Sequence, residues 1–292
     1  MQSKEIVSIN GEIFDLSEGK ISVQDHCVLF GDGVFEGIRL INGGVLLHKE
    51  HLERLYTSAE GVRLPIVPPA EYERQLFSAI KASGLASGYI RVVLTRGVAG
   101  LDLNPTRCVD SKLIVIVATL KLFPDELYEK GVKLIIARTN KVPYRSFDCR
   151  IKSCNYLSNL MALWEAIDSG ASEAIMTDEN GVVSETTMAN IFGVTNGLLF
   201  TPGSDTNCLE GITRAKVMEI GLEQSLKVEQ GRYTSRDFML ADEVFLTGTG
   251  AGVLPVTQIE NKMIGKGSIG ATTRMLRDEY EKRLDGYCTP VE

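Results

Sequence analysis

Of the four Asn-Gly dipeptides, those at 10–11, 42–43 and 196–197 each stand between short runs of strand-like alternation, and they constrain this chain more than any other feature. Asn-Gly supplies the two positive φ angles of a type I′ turn, so each one folds its flanking runs back as a hairpin. The paired runs are "EIVSI" with "EIF", "VFEGIRLI" with "VLLH", and "NIFGV" with "LLFT". Segments of helical period alternate with these hairpins. "KEHLERLYTSAEGVRLP" sets Leu52, Leu55, Tyr56 and Ala59 at i, i+3, i+4 and i+7 before Gly61 and Pro65 stop it. A second helix is predicted from Ala70 to Ser83, a third after Lys152 over "YLSNLMALWEAIDSG", a fourth from near Thr213 to about Ser225, and a last from about Ser268 to Leu284. Strands "YIRVVLT", "KLIVIVATL", "VKLIIAR" and "EAIMT" complete an α+β pattern.

The polar, aperiodic stretch "TNKVPYRSFDCR" divides the pattern. It gives a small N-terminal lobe over 1–137, a linker over 138–150 and a larger C-terminal lobe over 151–292. With 292 residues, 44% of them apolar and 24% charged, the chain has the balance of an ordinary folded protein. Its net charge of −7 and the lack of a basic cluster interleaved with aromatics argue against a nucleic-acid partner. The longest apolar run, "LIVIVATL", is too short to span a bilayer, and the first residues alternate like a strand instead of forming a signal core, so the expectation is a cytoplasmic protein with no membrane partner. Cysteines 27, 108, 149, 154, 208 and 288 form no C-x-x-C pair and only three histidines accompany them, which predicts reduced thiols and no metal site.

Several residues could carry chemistry. Lys152 stands beside apolar residues, four positions before Tyr156, where the pattern turns helical; it is either a surface cation or a placed amine. Gly211-Ile212-Thr213 opens a helix, whose free N–H groups suit a phosphate. "TGTGAG" (247–252) follows a strand and could wrap an anion with backbone amides and the Thr249 hydroxyl, although its spacing is not a dinucleotide fingerprint. Arg54 is either the partner of Glu50 at i, i+4 or a guanidinium fork for phosphate. Tyr89 and Arg91, two apart in a strand, share the face opposite Ile90 and Val92, and either bind a carboxylate or form a wet face. Glu185 ends an apolar strand.

Taken together and in order, "FGDGVFEGIR", "HKEHLERLYTSAE", "YIRVVLTRG", "IKSCNYLSN", "SETTMANIF", "LEGITRAKV" and "ADEVFLTGTGAGVLPV" resemble the fold-type IV family of pyridoxal-phosphate enzymes. That family contains the branched-chain aminotransferases, the D-amino acid aminotransferases and the aminodeoxychorismate lyases. The resemblance implies two lobes, the larger built on a mixed, barrel-like sheet, with the site between them. It implies that Lys152 forms the internal Schiff base with pyridoxal 5'-phosphate and shuttles the proton. Glu185 would pair with the pyridine nitrogen, and Tyr156 with the 3' oxygen. Arg54, the Ile212 and Thr213 amides, and Gly248-Thr249 would hold the phosphate.

Among the members, "YIR" matches the branched-chain pattern, in which Tyr89 and Arg91 help to bind the α-carboxylate; Phe35, with Phe30 nearby, would line an apolar pocket, and the Gly250 and Ala251 amides would meet the carboxylate. The D-amino acid enzymes carry Arg-x-His where this chain has Leu101 and Leu103, and the lyases usually carry Thr where it has Gly37. The implied function is ping-pong transamination of a branched-chain or other apolar L-amino acid with 2-oxoglutarate, with the lyase and the D-amino acid aminotransferase as alternatives. A partner subunit's loop around Leu101 to Pro105 would complete the site, implying a homodimer or higher homo-oligomer. The chain departs from the branched-chain pattern at Phe30, at "SETTMANIF" and in a linker without Trp.

Overall fold

The computed structural model describes residues 4–291, which divide into two compact units. The first takes the residues up to Leu120, Ile151–Asn155, and those from Leu284 on; the second takes Lys121–Arg150 and Tyr156–Arg283.

In the first unit the elements are β1 (Ile6–Ile9), β2 (Glu12–Asp15), α1 (His26–Phe30), β3 (Gly33–Ile41), β4 (Gly44–Leu46), α2 (His48–Gly61), α3 (Pro69–Ser83), β5 (Gly88–Thr95) and β6 (Leu113–Ala118). In the second they are α4 (Asp125–Lys130), β7 (Val132–Ile136), α5 (Leu157–Asp168), β8 (Glu173–Thr177), β9 (Val183–Thr186), β10 (Asn190–Thr195), β11 (Leu198–Pro202), α6 (Ile212–Glu223), β12 (Lys227–Gly231), α7 (Ser235–Leu240), β13 (Glu243–Gly248), β14 (Gly252–Ile259), β15 (Lys262–Met263) and α8 (Ala271–Arg283). The last strand, β16 (Cys288–Pro290), returns to the first unit.

The first unit is an antiparallel sheet in the order β16-β4-β3-β5-β6-β1-β2. The predicted Asn-Gly turns set its hairpins: Asn10 and Gly11 have φ of 50° and 88°, and Asn42 and Gly43 have 49° and 77°. Val34, Ile38, Ile90, Val92, Val115 and Val117 point from the sheet into one core with Leu55 and Ala59 of α2 and Tyr72, Leu76 and Ile80 of α3. Burying each of these larger aliphatic side chains contributes about 1.5–3 kcal/mol. The face of α2 that is turned inward is more polar than its spacing predicts. His48, His51 and Ser58 are buried with Leu55 and Ala59, while Leu52 and Tyr56 are only partly covered.

The second unit is a mixed sheet in the order β12-β11-β10-β13-β14-β7-β8-β9, with β15 added beside β14. β7 lies parallel to both β8 and β14, and β11 parallel to β12. Parallel neighbours need crossovers, and α5 supplies the one from β7 to β8, burying Ala162 and Ala166 against Ala174 and Met176. Among the described residues no helix is long and apolar enough to cross a membrane.

The division differs from the one expected at 137 and 151. β7 belongs to the second unit's sheet, so that unit already begins at Lys121. Residues 138–150 also belong to it, whereas Ile151–Asn155, carrying Lys152, packs with the first. The reason is hydrogen bonding. Phe35 N donates to Lys152 O at 2.9 Å and Cys154 N to Gly33 O at 2.8 Å, so this segment runs beside β3 as a short added strand.

Candidate active site

Lys152 is held from two sides. Its backbone N–H donates to Ser58 Oγ on α2 at 3.0 Å, and its carbonyl accepts from Phe35. Its Nζ stands 4.7 Å from the centre of the Phe35 ring, and the Arg91 guanidinium lies 4.3 Å from the same ring. Cross-strand pairing explains the cluster. Gly37 faces Arg91 and Phe35 faces Val93 across β3 and β5, so Phe35, Gly37, Tyr89 and Arg91 share one face while Ile90 and Val92 enter the core. A Cβ at Gly37 would fall 1.8 Å from Tyr89 Oη, so the absence of a side chain at 37 is what lets the phenol lie across β3.

On the opposite face of β3, Glu36 is fully buried between Val34 and Ile38. Its Oε2 lies 2.7 Å from His51 Nδ1, and its two oxygens accept from Arg54 Nε at 2.7 Å and Nη2 at 2.8 Å. Burial opposes the charge on Glu36, but Arg54 and His51 outweigh it and hold the carboxyl well below the usual carboxylate range. For His51 burial is the largest influence and pushes the imidazole down against the pull of Glu36; the Arg54 and Lys152 cations add to the lowering. A neutral His51 therefore donates Nδ1–H to Glu36. Arg54 spends two of its N–H edges on Glu36, which its spacing from Glu50 does not foretell.

In the second unit Glu185 on β9 is buried, and its Oε1 lies 2.5 Å from Lys141 Nζ. Its Oε2 accepts from Leu209 N at 3.1 Å and from Asn190 Nδ2 at 3.3 Å. Burial works against the Lys141 charge, but Glu185 overrides it and pushes the ammonium up to about 12; Cys149 and Tyr156 add to the effect. Tyr156 stands at the N-cap of α5. Ile212 and Thr213 open α6 after Gly211, which gives no side-chain cap, so the first N–H groups of the helix point outward without an intrahelical acceptor. Thr213 Oγ1 and, at the end of β13, Thr247 Oγ1 are buried without a hydrogen-bond partner among the described residues. Gly248, Thr249, Gly250 and Ala251 form the turn from β13 into β14.

The sequence-derived residues thus fall into two groups. Phe35, Arg54, Tyr89, Arg91 and Lys152 lie in the first unit; Tyr156, Glu185, Ile212, Thr213 and the 248–251 turn lie in the second. Glu36, His51, Lys141 and Asn190 escaped the sequence reading. Glu36 left a signal, being an acid in alternation with the apolar inward residues Val34, Ile38 and Leu40. Lys141 left none, because its partner is 44 residues away.

An antiparallel-sheet first unit, a mixed-sheet second unit and a lysine segment pinned to β3 agree with the pyridoxal-phosphate aminotransferase class that the sequence motifs resemble. The profile of the family "Amino-transferase class IV" matches residues 33–259, and the chain belongs to that family. The branched-chain-amino-acid aminotransferase of Escherichia coli K12 is 31% identical over 278 residues, 93% of this chain and 90% of the relative. A crystal structure of a branched-chain aminotransferase from the thermophilic archaeon Thermoproteus uzoniensis with norvaline superposes with a TM-score of 0.89 at 29% identity, covering 98% of this chain and 99% of that one. The crystal structure of the Escherichia coli enzyme gives 0.93 at 29% identity, covering 100% of both chains. A further branched-chain amino acid aminotransferase, crystallised with pyridoxamine 5'-phosphate, gives 0.92 at 32% identity, again with full coverage of both chains.

Proposed function

We propose that this aminotransferase uses pyridoxal 5'-phosphate to move the amino group of a branched-chain or similarly apolar L-amino acid to 2-oxoglutarate. The observation that carries the reading is the face of β3 and β5, where the Lys152 amine and the Arg91 guanidinium flank the Phe35 ring with Tyr89 beside them. A cation and a phenol suit an α-carboxylate, and an aromatic face suits an apolar side chain.

The residues present fit the cofactor. The orphaned Thr213 and Thr247 hydroxyls and the uncapped start of α6 suit a phosphate, and Glu185 is a buried carboxylate with donors on both oxygens. When bound, the cofactor supplies a carbonyl carbon to receive nitrogen and a protonated ring to draw electrons from the substrate. Lys152 would hold it covalently and, once released, take the proton from the substrate Cα. Glu185 would accept from the ring nitrogen and Tyr156 would donate to the ring oxygen. Ile212, Thr213, Gly248 and Thr249 would hold the phosphate with Arg54, which Glu36 and His51 keep in place. Arg91 and Tyr89, with the Gly250 and Ala251 amides, would orient the carboxylate.

The lack of room at Gly37 weighs against the lyase reading, because a threonine there would collide with Tyr89 as it lies. Leu101 and Leu103, 84% and 70% exposed, offer no cation to the carboxylate of a D-amino acid and suit burial against a second copy.

Purified protein loaded with cofactor should turn over L-leucine and 2-oxoglutarate with parallel double-reciprocal plots. Preference for D-alanine would overturn the substrate assignment. Borohydride reduction followed by peptide mapping should place the label on Lys152 and not on Lys141, whose amine is tied up as an ammonium. Label on Lys141, or on no lysine, would remove the basis of the reading.

A further inference from the structure

Lys141 lies in the irregular stretch between β7 and α5 and is only 6% exposed. Its backbone N–H donates to Thr177 O at 2.8 Å, which pins it beside the end of β8, and Glu185 sits across from Met176 on the adjoining strand. An ammonium is costly to bury alone, and a buried ion pair adds little stability over a well-packed apolar pair. The position therefore calls for an account in terms of what Lys141 does to Glu185.

A carboxylate offers about four acceptor sites. On Glu185, Oε2 uses two of them for Leu209 N and Asn190 Nδ2, and Oε1 uses one for Lys141. The site left over is on Oε1, the oxygen that Lys141 holds. Cys149 and Tyr156 are the other titratable groups whose charge Lys141 feels.

We propose that Lys141 is a positioning residue for Glu185: it fixes Oε1 and leaves that oxygen one acceptor site with which to take a hydrogen bond from the N–H of the cofactor's protonated ring. The proposal rests on the reading of Glu185 given above. It assigns Lys141 no contact with substrate.

The test compares Lys141→Met, Lys141→Gln, Lys141→Arg and Glu185→Gln as cofactor-loaded proteins. The readouts are the absorption spectrum of the bound cofactor and the rate of the single half-reaction with L-leucine. Lys141→Met and Lys141→Gln should change the spectrum and slow the half-reaction about 10- to 100-fold with KM little altered, the size expected when a buried acceptor loses its charged donor. Lys141→Arg should recover to within about threefold of the parent, because it restores the charge and the donor. Should Lys141→Met fail to fold, Lys141→Gln, which keeps an N–H donor without the charge, carries the test. If the neutral variants keep the parental spectrum and rate while Glu185→Gln is impaired, the positioning role is wrong and the reading of Glu185 survives. If Glu185→Gln is itself unimpaired, both are wrong. If Lys141→Arg is no better than Lys141→Met, the role of charge is refuted.

Discussion

Gly37 is the residue on which substrate handling turns most directly. Adding one methyl at 37 drives an atom to 1.8 Å from Tyr89 Oη, and a tyrosine at the end of its χ2 axis cannot yield that much without swinging away from Arg91. Gly37→Ala should lower kcat/KM for L-leucine about 10- to 100-fold, mainly through KM, since the loss falls on carboxylate binding common to ground and transition states. An unchanged KM would mean that Tyr89 does not meet substrate. Glu36 calls for a different measurement. Removing a buried carboxylate while its partners stay costs about 3–5 kcal/mol, so Glu36→Ala should melt well below the parent even without cofactor. A Tm within a degree of the parent would show that Arg54 and His51 find other partners. At this scale the sequence was readable where local spacing decides orientation. Tyr89 and Arg91 share a face because alternation requires it. The partners of Arg54 and Glu185 were not readable, because Glu36 and Lys141 lie 18 and 44 residues away in sequence and only the tertiary fold brings them near.

The elements that could be read were those with enough length or a special backbone to leave a pattern. α2 (His48–Gly61) and α3 (Pro69–Ser83) fall within a few residues of their predicted spans, and the Asn-Gly pairs at 10–11, 42–43 and 196–197 adopt positive φ at both residues, as at Asn196 and Gly197 with 50° and 78°. α1, α4 and α7 run only five or six residues, less than two turns, and so carry no periodicity to detect. β12, an exposed edge strand of Lys, Val, Glu, Gln and Gly, has no apolar alternation either. α5 displays a face that its own unit does not cover: Leu157, Leu160, Met161, Trp164 and Ile167 are each more than half exposed. A stripe of this kind suits a second copy of the chain. Trp164→Glu should shift the protein toward monomer in sedimentation velocity while leaving its circular dichroism intact. A parental sedimentation coefficient would show that this face is not where copies meet.

For the whole molecule, acid should be the sensitive direction. An imidazole held below its ordinary value takes up its proton later in the folded chain than in the unfolded one, so His51 supports folding above about 6.5 and that support fades as pH falls. Glu36, also lowered, contributes stability above about 4.5 that is lost as pH falls further. Thermal melting of the cofactor-free protein should therefore drop steadily from pH 7 to pH 4. His51→Gln, which keeps a donor and cannot titrate, should flatten the upper part of that decline. A parental slope in the variant would clear His51 of any part in it. The α+β class was readable from the alternation of hairpins and helices, whereas the mixed sheet of the second unit followed only from the resemblance to a known family. The division of the chain was not, because it depends on which strand a five-residue segment runs beside, and "IKSCN" carries no mark of that choice.

That segment and β16 make the second unit an insertion within the first. Synthesis proceeds from the N-terminus, so the ribosome releases nearly the whole sheet of the first unit long before Lys152, and the edge of β4 stays bare until Cys288–Pro290 emerge to pair with it. Cutting the gene after codon 120 would separate the reactive lysine and the closing strand from the half they belong to, so neither fragment would inherit a finished body.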